Sequence, residues 1–195
     1  MRYSAKHKQE TRDRIVKAAA RRFRSRGSQG AVIGDLMRDL HLTHGGFYRH
    51  FDSKEDLFVE AFAQGNDEMA RKIATAVDKA SPGGELKAII DTYLDVEHCE
   101  NAAEGCPLPA LAVELARRPP HSRARLAFER ELKDRTQGIA RYVPGSSEEE
   151  RVSKARMLMS GMAGTLTVAR VLTDNRRRRR FLDDAKRFYF EAVRG

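Results

Sequence analysis

The chain has 195 residues, with 37 Lys and Arg against 28 Asp and Glu, so its formal net charge is +9. Hydrophobic residues make up 41% of the chain, enough for a core, but no run of ~18 apolar residues is present to cross a bilayer. The basic, polar start lacks an apolar signal segment, which favours a cytoplasmic location. Two cysteines are too few for a disulfide framework.

The positive charge is concentrated near the N-terminus. Residues 1–26 contain ten Lys and Arg against two acidic residues. Such an excess attracts a polyanion, although an Arg-rich helix face also occurs in proteins with no nucleic acid partner. A membrane surface is the weaker interpretation, because the apolar face of this segment is small and more typical of a core-facing helix.

Apolar residues recur at helical spacing through the N-terminal third. A first helix is predicted over 11–26, with Gly27 as its stop. A second helix over 33–40, a tight turn and a short helix ending near Phe51 follow. Ser53 is a predicted N-cap, because acidic residues follow it in the first turn, and the helix it opens is predicted to extend to about Ala80.

The remaining segments also have helical periodicity. The stretch Ser81-Pro82-Gly83-Gly84 breaks the chain. Further helices are predicted over about 86–94, 108–117, 122–142, 147–172 and 181–193. The fourth opens with a capping box of Ser147 and Glu150. The arginine run 176–180 is predicted to be a solvated turn. No strand pattern is present, so the sequence predicts an all-α fold of about nine helices.

Residues 33–51, IGDLMRDLHLTHGGFYRHF, have the spacing of a helix-turn-helix, whose second helix enters the DNA major groove. An ordinary pair of packed helices has the same composition, so the spacing alone leaves both open. The longer string from Arg14 to Phe58 is more specific. It includes Leu42-Thr43-His44-Gly45-Gly46-Phe47-Tyr48, His50-Phe51 and Ser53-Lys54-Glu55-Asp56-Leu57. This string resembles the TetR family of bacterial one-component repressors.

The resemblance implies two domains. Residues 1–52 correspond to an N-terminal three-helix helix-turn-helix domain, and 53–195 to a larger helical domain that binds a ligand and dimerises. Within the second domain, 53–80 corresponds to a connecting helix. The implied partners are a double-stranded DNA operator and a second copy of the chain.

The resemblance also implies DNA contacts. The residues concerned are Thr43, His44, Gly45, Gly46, Tyr48, Arg49, His50 and Lys54. Arg49 is a candidate to bind guanine bidentately, and Lys54 to contact phosphate. For His50, the alternative is a surface histidine that packs against Tyr3 or another aromatic ring.

One feature departs from the family pattern. Many members have Thr or Ser shortly before the pair that corresponds to Asp35-Leu36, whereas this chain has Gly30-Ala31-Val32-Ile33-Gly34. We hypothesise that a basic N-terminal arm compensates by reaching phosphates or the minor groove. Its cations are Lys6, Lys8 and Arg12.

The last two helices resemble the family's dimer interface. The first contains the small residues Ser160, Gly161, Ala163, Gly164, Thr165 and Ala169. The second contains Phe181, Leu182, Phe188 and Tyr189. The alternative is that these residues pack only within one subunit.

A ligand pocket is implied in the larger domain, for a small hydrophobic or electrophilic effector. Its apolar candidates are Met69, Ile73, Tyr93, Leu111, Leu115, Phe128, Met157 and Met162. They are equally compatible with plain core. Cys106 lies in a Gly-Cys-Pro segment like that of a subgroup of these regulators, so it is a candidate sensor. The alternative is a buried cysteine that behaves as a small hydrophobe.

The sequence also leaves two functions other than ligand-controlled repression open. Cys99, Cys106, His98 and Glu104 do not have a usual zinc-ligand spacing, so neither metal nor cofactor is expected. An enzyme with Cys106 as nucleophile and His98 or His121 as base is the alternative from another class. A DNA-binding protein without ligand response is the third possibility.

Overall fold

A computed structural model describes residues 5–194, and this part of the chain is helical with no strand. The helices are α1 (Ala5–Gly30), α2 (Ile33–Asp39), α3 (Lys54–Asp78), α4 (Glu85–Tyr93), α5 (Val96–Glu100), α6 (Pro107–Ala116), α7 (Arg123–Ala140), α8 (Glu148–Val171) and α9 (Asn175–Arg194). Two 3-10 turns, His44–Arg49 and Ala102–Glu104, complete the secondary structure. The all-α prediction of about nine helices is confirmed for the described residues. None of these helices is long and apolar enough to span a membrane.

The chain divides into two compact units. The first comprises the chain up to Asp67 together with Ala102–Phe128, and the second comprises Glu68–Asn101 together with the chain from Glu129 onward. By packing, the first unit therefore includes α6, which lies well beyond the predicted domain boundary after residue 52. That boundary, defined by chain order alone, stays a prediction.

Helix α1 is the centre of the first unit. Its residues Ile15 and Phe23 are buried, and the Phe23 ring lies 5.1 Å from that of Phe58 on α3, centre to centre. Leu111 and Leu115 of α6 belong to the same apolar cluster. The cluster orders α2 and the His44–Arg49 turn, because Leu36 and Phe47 are buried in it.

Gly27 interrupts α1, as its sequence position predicts, but the chain returns to helix up to Gly30. Gly27 has φ of 69°, a left-handed conformation that suits glycine. The kink leaves the Ser28 amide free to donate to Glu114 Oε2 on α6, at 2.8 Å, and the Ser28 hydroxyl donates to the same carboxylate. Burial by itself raises the pKa of Glu114, but the bonds from Ser28 and Arg118 outweigh it and hold the pKa below its ordinary value.

In the second unit, α8 and α9 form an antiparallel hairpin. Thr165 and Tyr189 share a hydrogen bond of 2.9 Å, and further along α8 the Arg178 guanidinium donates to the Ala169 carbonyl at 3.3 Å. A Cβ on Gly161 would lie 2.7 Å from the Tyr189 ring, so glycine is needed for this close approach. Gly161 therefore serves packing within one subunit.

The small residues of α8 do not all share one face. Ala163, Thr165 and Ala169 are buried inside the unit, whereas Ser160 and Gly164 are exposed. The prediction that all of them form a dimer interface is therefore corrected. The inward side of α8 packs against its own subunit, and only the outward side remains for a partner.

The start of α9 corrects a second prediction. Arg176–Arg180 is helical, not a turn, because α9 begins at Asn175. The Asp174 carboxylate accepts a hydrogen bond of 2.7 Å from the Arg177 amide. An acidic cap of this kind opens a helix that the arginine run alone does not predict.

Side-chain caps set two predicted helix starts. The Ser53 hydroxyl accepts from the Asp56 amide at 3.1 Å, and the Ser147 hydroxyl accepts from the Glu150 amide at 3.1 Å. Both predicted caps are confirmed. Helix α5, by contrast, was not predicted, because its five residues are too short to show a period.

Candidate nucleic-acid interface

Helix α2 ends in a tight turn that orients the segment after it. His41 has φ of 58°, a left-handed conformation that stops the helix. The Leu42 amide then donates to the Met37 carbonyl at 2.8 Å, which closes the turn. This turn separates α2 from the His44–Arg49 segment, which we call the reading turn.

The reading turn is a 3-10 helix rather than the short α-helix that the sequence predicts. Thr43 precedes it in extended conformation, and its side chain makes no capping hydrogen bond. Phe47 is 2% exposed and stacks on Phe51 with ring centres 5.4 Å apart. One buried ring therefore anchors a segment whose other side chains point away from the core.

The outward side of the reading turn consists of predicted DNA-contact residues. Thr43, His44, Gly45, Tyr48 and Arg49 are all exposed, Tyr48 over 64% of its surface. The His44 and Tyr48 rings meet edge to face at 6.2 Å. Within residues 5–194, no hydrogen bond or ion pair engages the side chains of His44, Tyr48 or Arg49, so all three are available to an external ligand.

Gly46 differs from its neighbour Gly45. A Cβ on Gly46 would lie 3.3 Å from Thr43 Oγ1 and 3.8 Å from Met37 Cε, whereas a Cβ on Gly45 would meet nothing within 4 Å. Gly46 thus allows the reading turn to pack against α2, and only Gly45 offers open backbone to a ligand.

His50 is half-buried, as are Gly46 and Lys54, whereas the other predicted DNA contacts are exposed. Burial, followed by the charges of Lys8, Arg12 and Arg49, lowers the pKa of His50. Its ring centre lies 6.4 Å from that of Phe51. This packing matches the aromatic alternative, although Tyr3 itself lies outside the described residues. The lowered pKa disfavours the charged imidazolium, the form that pairs best with phosphate.

Arg12 corrects the prediction of a free basic arm. Its guanidinium donates to the His50 carbonyl and to the Glu60 carboxylate, and it lies 4.2 Å from the centre of the Phe51 ring. Arg12 therefore braces the reading turn from inside. Lys6 and Lys8 remain exposed, but they lie on the first turns of α1, not on an extended arm.

Sequence reasoning missed a buried arginine in the same unit. Arg24 is 4% exposed, and its Nε donates to the Ala103 carbonyl at 2.6 Å. A Cβ on Gly65 would lie 2.3 Å from Arg24 Nη1. A glycine inside α3 was the available signal, because glycine is unfavourable within a helix unless something passes close to it.

The predicted pocket residues are divided between the two compact units. Leu111 and Leu115 are core residues of the first unit, and Phe128 packs on Phe62 there at 5.8 Å. Their burial matches the plain-core alternative, and a role in a ligand pocket stays a prediction. Cys106, at the N-cap of α6 in the same unit, is 7% exposed, which favours the buried interpretation over a reactive surface thiol.

The other pocket candidates belong to the second unit. Met69, Tyr93 and Met162 are buried, Ile73 is half-buried, and Met157 is 62% exposed, so Met157 lies on the surface of α8. Three surface clefts in this unit are lined by other residues. The largest, about 420 Å³, lies between α4 and α9 around Ile90 and Phe190.

His98 is a buried polar group in this unit. Its Nδ1 lies 2.6 Å from the Tyr93 carbonyl, and burial lowers the pKa of the imidazole to about 4. A histidine that binds protons so weakly and is committed to the backbone is a poor general base at neutral pH. Within the described chain, no three His, Cys, Asp or Glu side chains are grouped to hold a metal ion.

This arrangement, a buried ring carrying an exposed reading turn after a tight helix turn, matches a known family. Residues 15–61 match the model of bacterial regulatory proteins of the tetR family, and residues 82–184 match the tetracyclin repressor-like C-terminal domain. The chain belongs to the TetR family of transcriptional regulators. Members of this family are DNA-binding repressors whose C-terminal domains bind ligands. They are regulators rather than enzymes.

Individual relatives agree with the family. The HTH-type transcriptional regulator Rv0196 of Mycobacterium tuberculosis is 28% identical over 176 residues, which cover 85% of this chain and 87% of the relative. The HTH-type transcriptional regulator LmrA of Bacillus subtilis is 27% identical over 107 residues, covering 54% of this chain and 57% of that protein.

Solved structures show the same fold. A TetR-family regulator from Cytophaga hutchinsonii aligns with a TM-score of 0.78 at 16% identity, covering 94% of this chain and 95% of that chain. SCO4454, a TetR-family regulator from Streptomyces coelicolor, aligns with a TM-score of 0.76 at 18% identity, covering 96% and 97%.

Proposed function

We propose that this TetR-family regulator represses transcription by binding a near-palindromic operator as a homodimer, and that a small hydrophobic effector releases it. The observation that carries the proposal is the reading turn, in which Phe47 is buried while His44, Tyr48 and Arg49 are exposed and unengaged by described residues. A regulator of this kind acts where the chromosome is, so a cytoplasmic location is part of the proposal.

The side chains divide into base-reading and positioning roles. Arg49 presents the planar donor fork that binds guanine bidentately, and His44 is the candidate for a second base contact. Thr43, Tyr48 and Lys54 supply phosphate contacts that fix the orientation of the reading turn on the duplex. Gly45 allows the backbone itself to approach the DNA. Gly46 and His50 support the turn from its inner side.

A second copy of the chain covers the outward face of the α8–α9 hairpin in this proposal. Met157 and Val171 are exposed over 62% and 78% on α8, and Phe188 over 64% on α9. Exposed apolar side chains in this number are typical of a surface buried against a partner. Two copies related by a two-fold axis read two half-sites ~34 Å apart, which explains a near-palindromic operator.

Effector release requires an element that differs between two states. Helix α3 is the candidate, because it is continuous from Lys54 to Asp78 and supplies residues to both compact units. A ligand that contacts Met69 and Ile73 in its second half would change the position of Lys54 in its first. Modification of Cys106 is a second route to release, which its burial disfavours.

The proposal is tested by equilibrium binding to the DNA upstream of the protein's own gene, against scrambled DNA, at several salt concentrations. We expect preference for the upstream DNA, two chains per site and affinity that falls steeply with salt. Arg49→Ala should weaken specific binding about 10- to 100-fold and leave the helical content unchanged. Equal affinity for all DNA, with or without Arg49, would contradict it.

The effector is tested in the same assay. A hydrophobic compound library should contain ligands that release the wild-type protein and fail to release a Met69→Glu variant. A Cys106→Ser variant separates the two routes. If it still releases DNA after treatment with an electrophile that releases the wild type, the cysteine route is wrong.

A further inference from the structure

The two ends of the α8–α9 hairpin carry opposite charges. Helix α8 opens with Glu148, Glu149 and Glu150, and α9 opens with the run Arg176–Arg180. The helices are antiparallel, so the acidic end and the basic end lie at opposite ends of the hairpin.

The basic end is mostly unneutralised within one chain. Arg178 donates to Glu100 at 2.9 Å and to the Leu172 carbonyl at 2.6 Å. The other four arginines are exposed, and none forms an ion pair with another described residue. Cations in the first turns of a helix are unfavourable because they face the positive end of the helix dipole. An external anion would relieve this cost.

The acidic end is only partly used. Glu150 accepts from the Ser146 hydroxyl at 2.7 Å and from the Ser146 amide at 2.8 Å, and it lies 3.1 Å from Lys154. These contacts lower its pKa to about 2. Glu149 is exposed and has no partner among the described residues.

Charged and apolar residues share one outward face of each helix. On α8, Glu149 continues the exposed stripe of Ser153, Met157, Ser160 and Gly164, at steps of three or four residues. Residues at these steps lie on one side of a helix.

On α9, Arg177 lies four residues before Phe181 and eleven before Phe188, so it belongs to the exposed apolar face of that helix. Arg179, two residues further on, points to the other side. The same surface that offers apolar side chains to a partner therefore carries a cation near one end.

Along the α8 axis, Glu149 and Arg177 lie at similar distances on either side of Ser160. With a rise of ~1.5 Å per residue, Glu149 lies ~17 Å before Ser160 on the α8 axis. Arg177 lies beside the contacts that Arg178 makes with Ala169 and Leu172, which are ~14 to ~18 Å beyond Ser160. A two-fold axis that passes near Ser160 at right angles to α8 therefore brings the acidic end of one copy level with the basic end of the other.

We propose that Glu149 of each protomer pairs with Arg177 of the other protomer, and that these two symmetry-related ion pairs set the antiparallel register of the homodimer. The inference rests on the proposed homodimer. A second copy fits better than a nucleic acid, because the surface beside Arg177 carries the exposed rings of Phe181 and Phe188, and a phosphate backbone leaves such rings in water.

Two single charge reversals test the pairing. Arg177→Glu and Glu149→Arg each create two like-charge contacts in their own homodimer. When the two variants are mixed, both pairs in the heterodimer become attractive. Differently tagged full-length chains, mixed after separate purification and analysed by native mass spectrometry, should favour the heterodimer at least about ten-fold over the statistical distribution.

Arg179→Glu is the matched control. It makes the same charge change at the same end of α9, but on the side away from Phe181. Mixed with Glu149→Arg, it should give about the statistical distribution. Circular dichroism confirms that all three variants fold, and Arg177→Glu is itself favourable at a helix start.

The outcomes separate this inference from the proposed homodimer. A wild-type chain that is monomeric at micromolar concentration would overturn both. A wild-type dimer whose reversed variants mix statistically would overturn only the register. Loss of DNA affinity in Arg177→Glu without heterodimer selection would assign the arginines to nucleic acid and also overturn it.

Discussion

The reading turn was predicted to contact DNA, and two residues of helix α6 were predicted to line an effector pocket. The two regions differ in how far their side chains are buried. In the reading turn only Phe47 is buried, and most of the predicted DNA-contact residues are exposed. Helix α6 buries Leu111 and Leu115 in the first unit, and its Glu114 accepts hydrogen bonds from Ser28 on α1. Side chains that are engaged inside the molecule are less available to a ligand, so we expect α6 to serve stability and the reading turn to contact DNA.

The strongest test of this contrast removes a buried side chain from α6. Leu111→Ala should lower the free energy of unfolding by about 3 kcal/mol, because it leaves a cavity in a core where Leu111 is 1% exposed. Val113→Ala, on the same helix at 66% exposure, should change it by less than about 0.5 kcal/mol. Urea denaturation monitored by circular dichroism measures both.

A ligand-pocket role for Leu111 predicts another result. Leu111→Ala would then leave stability nearly unchanged and weaken only the response to effector. Equal stability of Leu111→Ala and Val113→Ala would therefore support a role for α6 in the ligand site.

The bond between α6 and α1 is the next test. Glu114→Ala should lower the free energy of unfolding by about 1–2 kcal/mol, because the Ser28 amide and Arg118 lose a charged partner. The pKa of Glu114 is lowered in the folded chain from its ordinary value of 4.5, so its contribution is present above pH 4.5 and is lost as the pH falls through the folded pKa.

The pH dependence supplies the check on this mechanism. Between pH 7 and pH 3, the wild type should lose more stability than Glu114→Ala, and the difference between the two should shrink at the acidic end. A difference that stays constant with pH would mean that packing, not the charge of Glu114, causes the loss.

Two arginines sharpen the contrast within the helix-turn-helix. Arg12→Gln should lower the free energy of unfolding by about 1 kcal/mol, since Arg12 holds the His50 carbonyl and stacks on Phe51. Arg49→Gln should leave stability unchanged and reduce operator affinity. If Arg12→Gln instead weakened DNA binding at full stability, the predicted basic arm would be right.

Local signals were the part of the fold that sequence could predict. The Ser53 and Ser147 caps bond residues three positions away, and the stop at Gly27 needs only a left-handed φ. These are properties of a short window, so the starts of α3 and α8 and the break at Gly27 were predicted, whereas the start of α9 was not. The candidate contact residues of the reading turn came instead from the family resemblance.

The corrected residues depend on distant partners. Arg12 bonds groups 38 and 48 residues away, and Glu114 bonds Ser28 across 86 residues. No window of sequence shows such pairings, so Arg12 was assigned to DNA and the bond between Glu114 and Ser28 was not predicted. Met157 was assigned to a pocket because hydrophobicity does not tell an inward from an outward face when both are apolar.

The prediction with the smallest expected effect adds one methyl group at Gly45 of the reading turn, where DNA binding and folding should respond differently. A Cβ there meets nothing within 4 Å, so Gly45→Ala should alter the free energy of unfolding by less than about 0.5 kcal/mol. If the backbone of the reading turn lies against DNA, the methyl group should weaken operator binding about three- to ten-fold. Gly46→Ala is the matched control, since its Cβ lies 3.3 Å from Thr43 Oγ1 and its cost should appear in folding. Equal operator affinity of the wild type and Gly45→Ala would show that DNA is contacted by side chains alone.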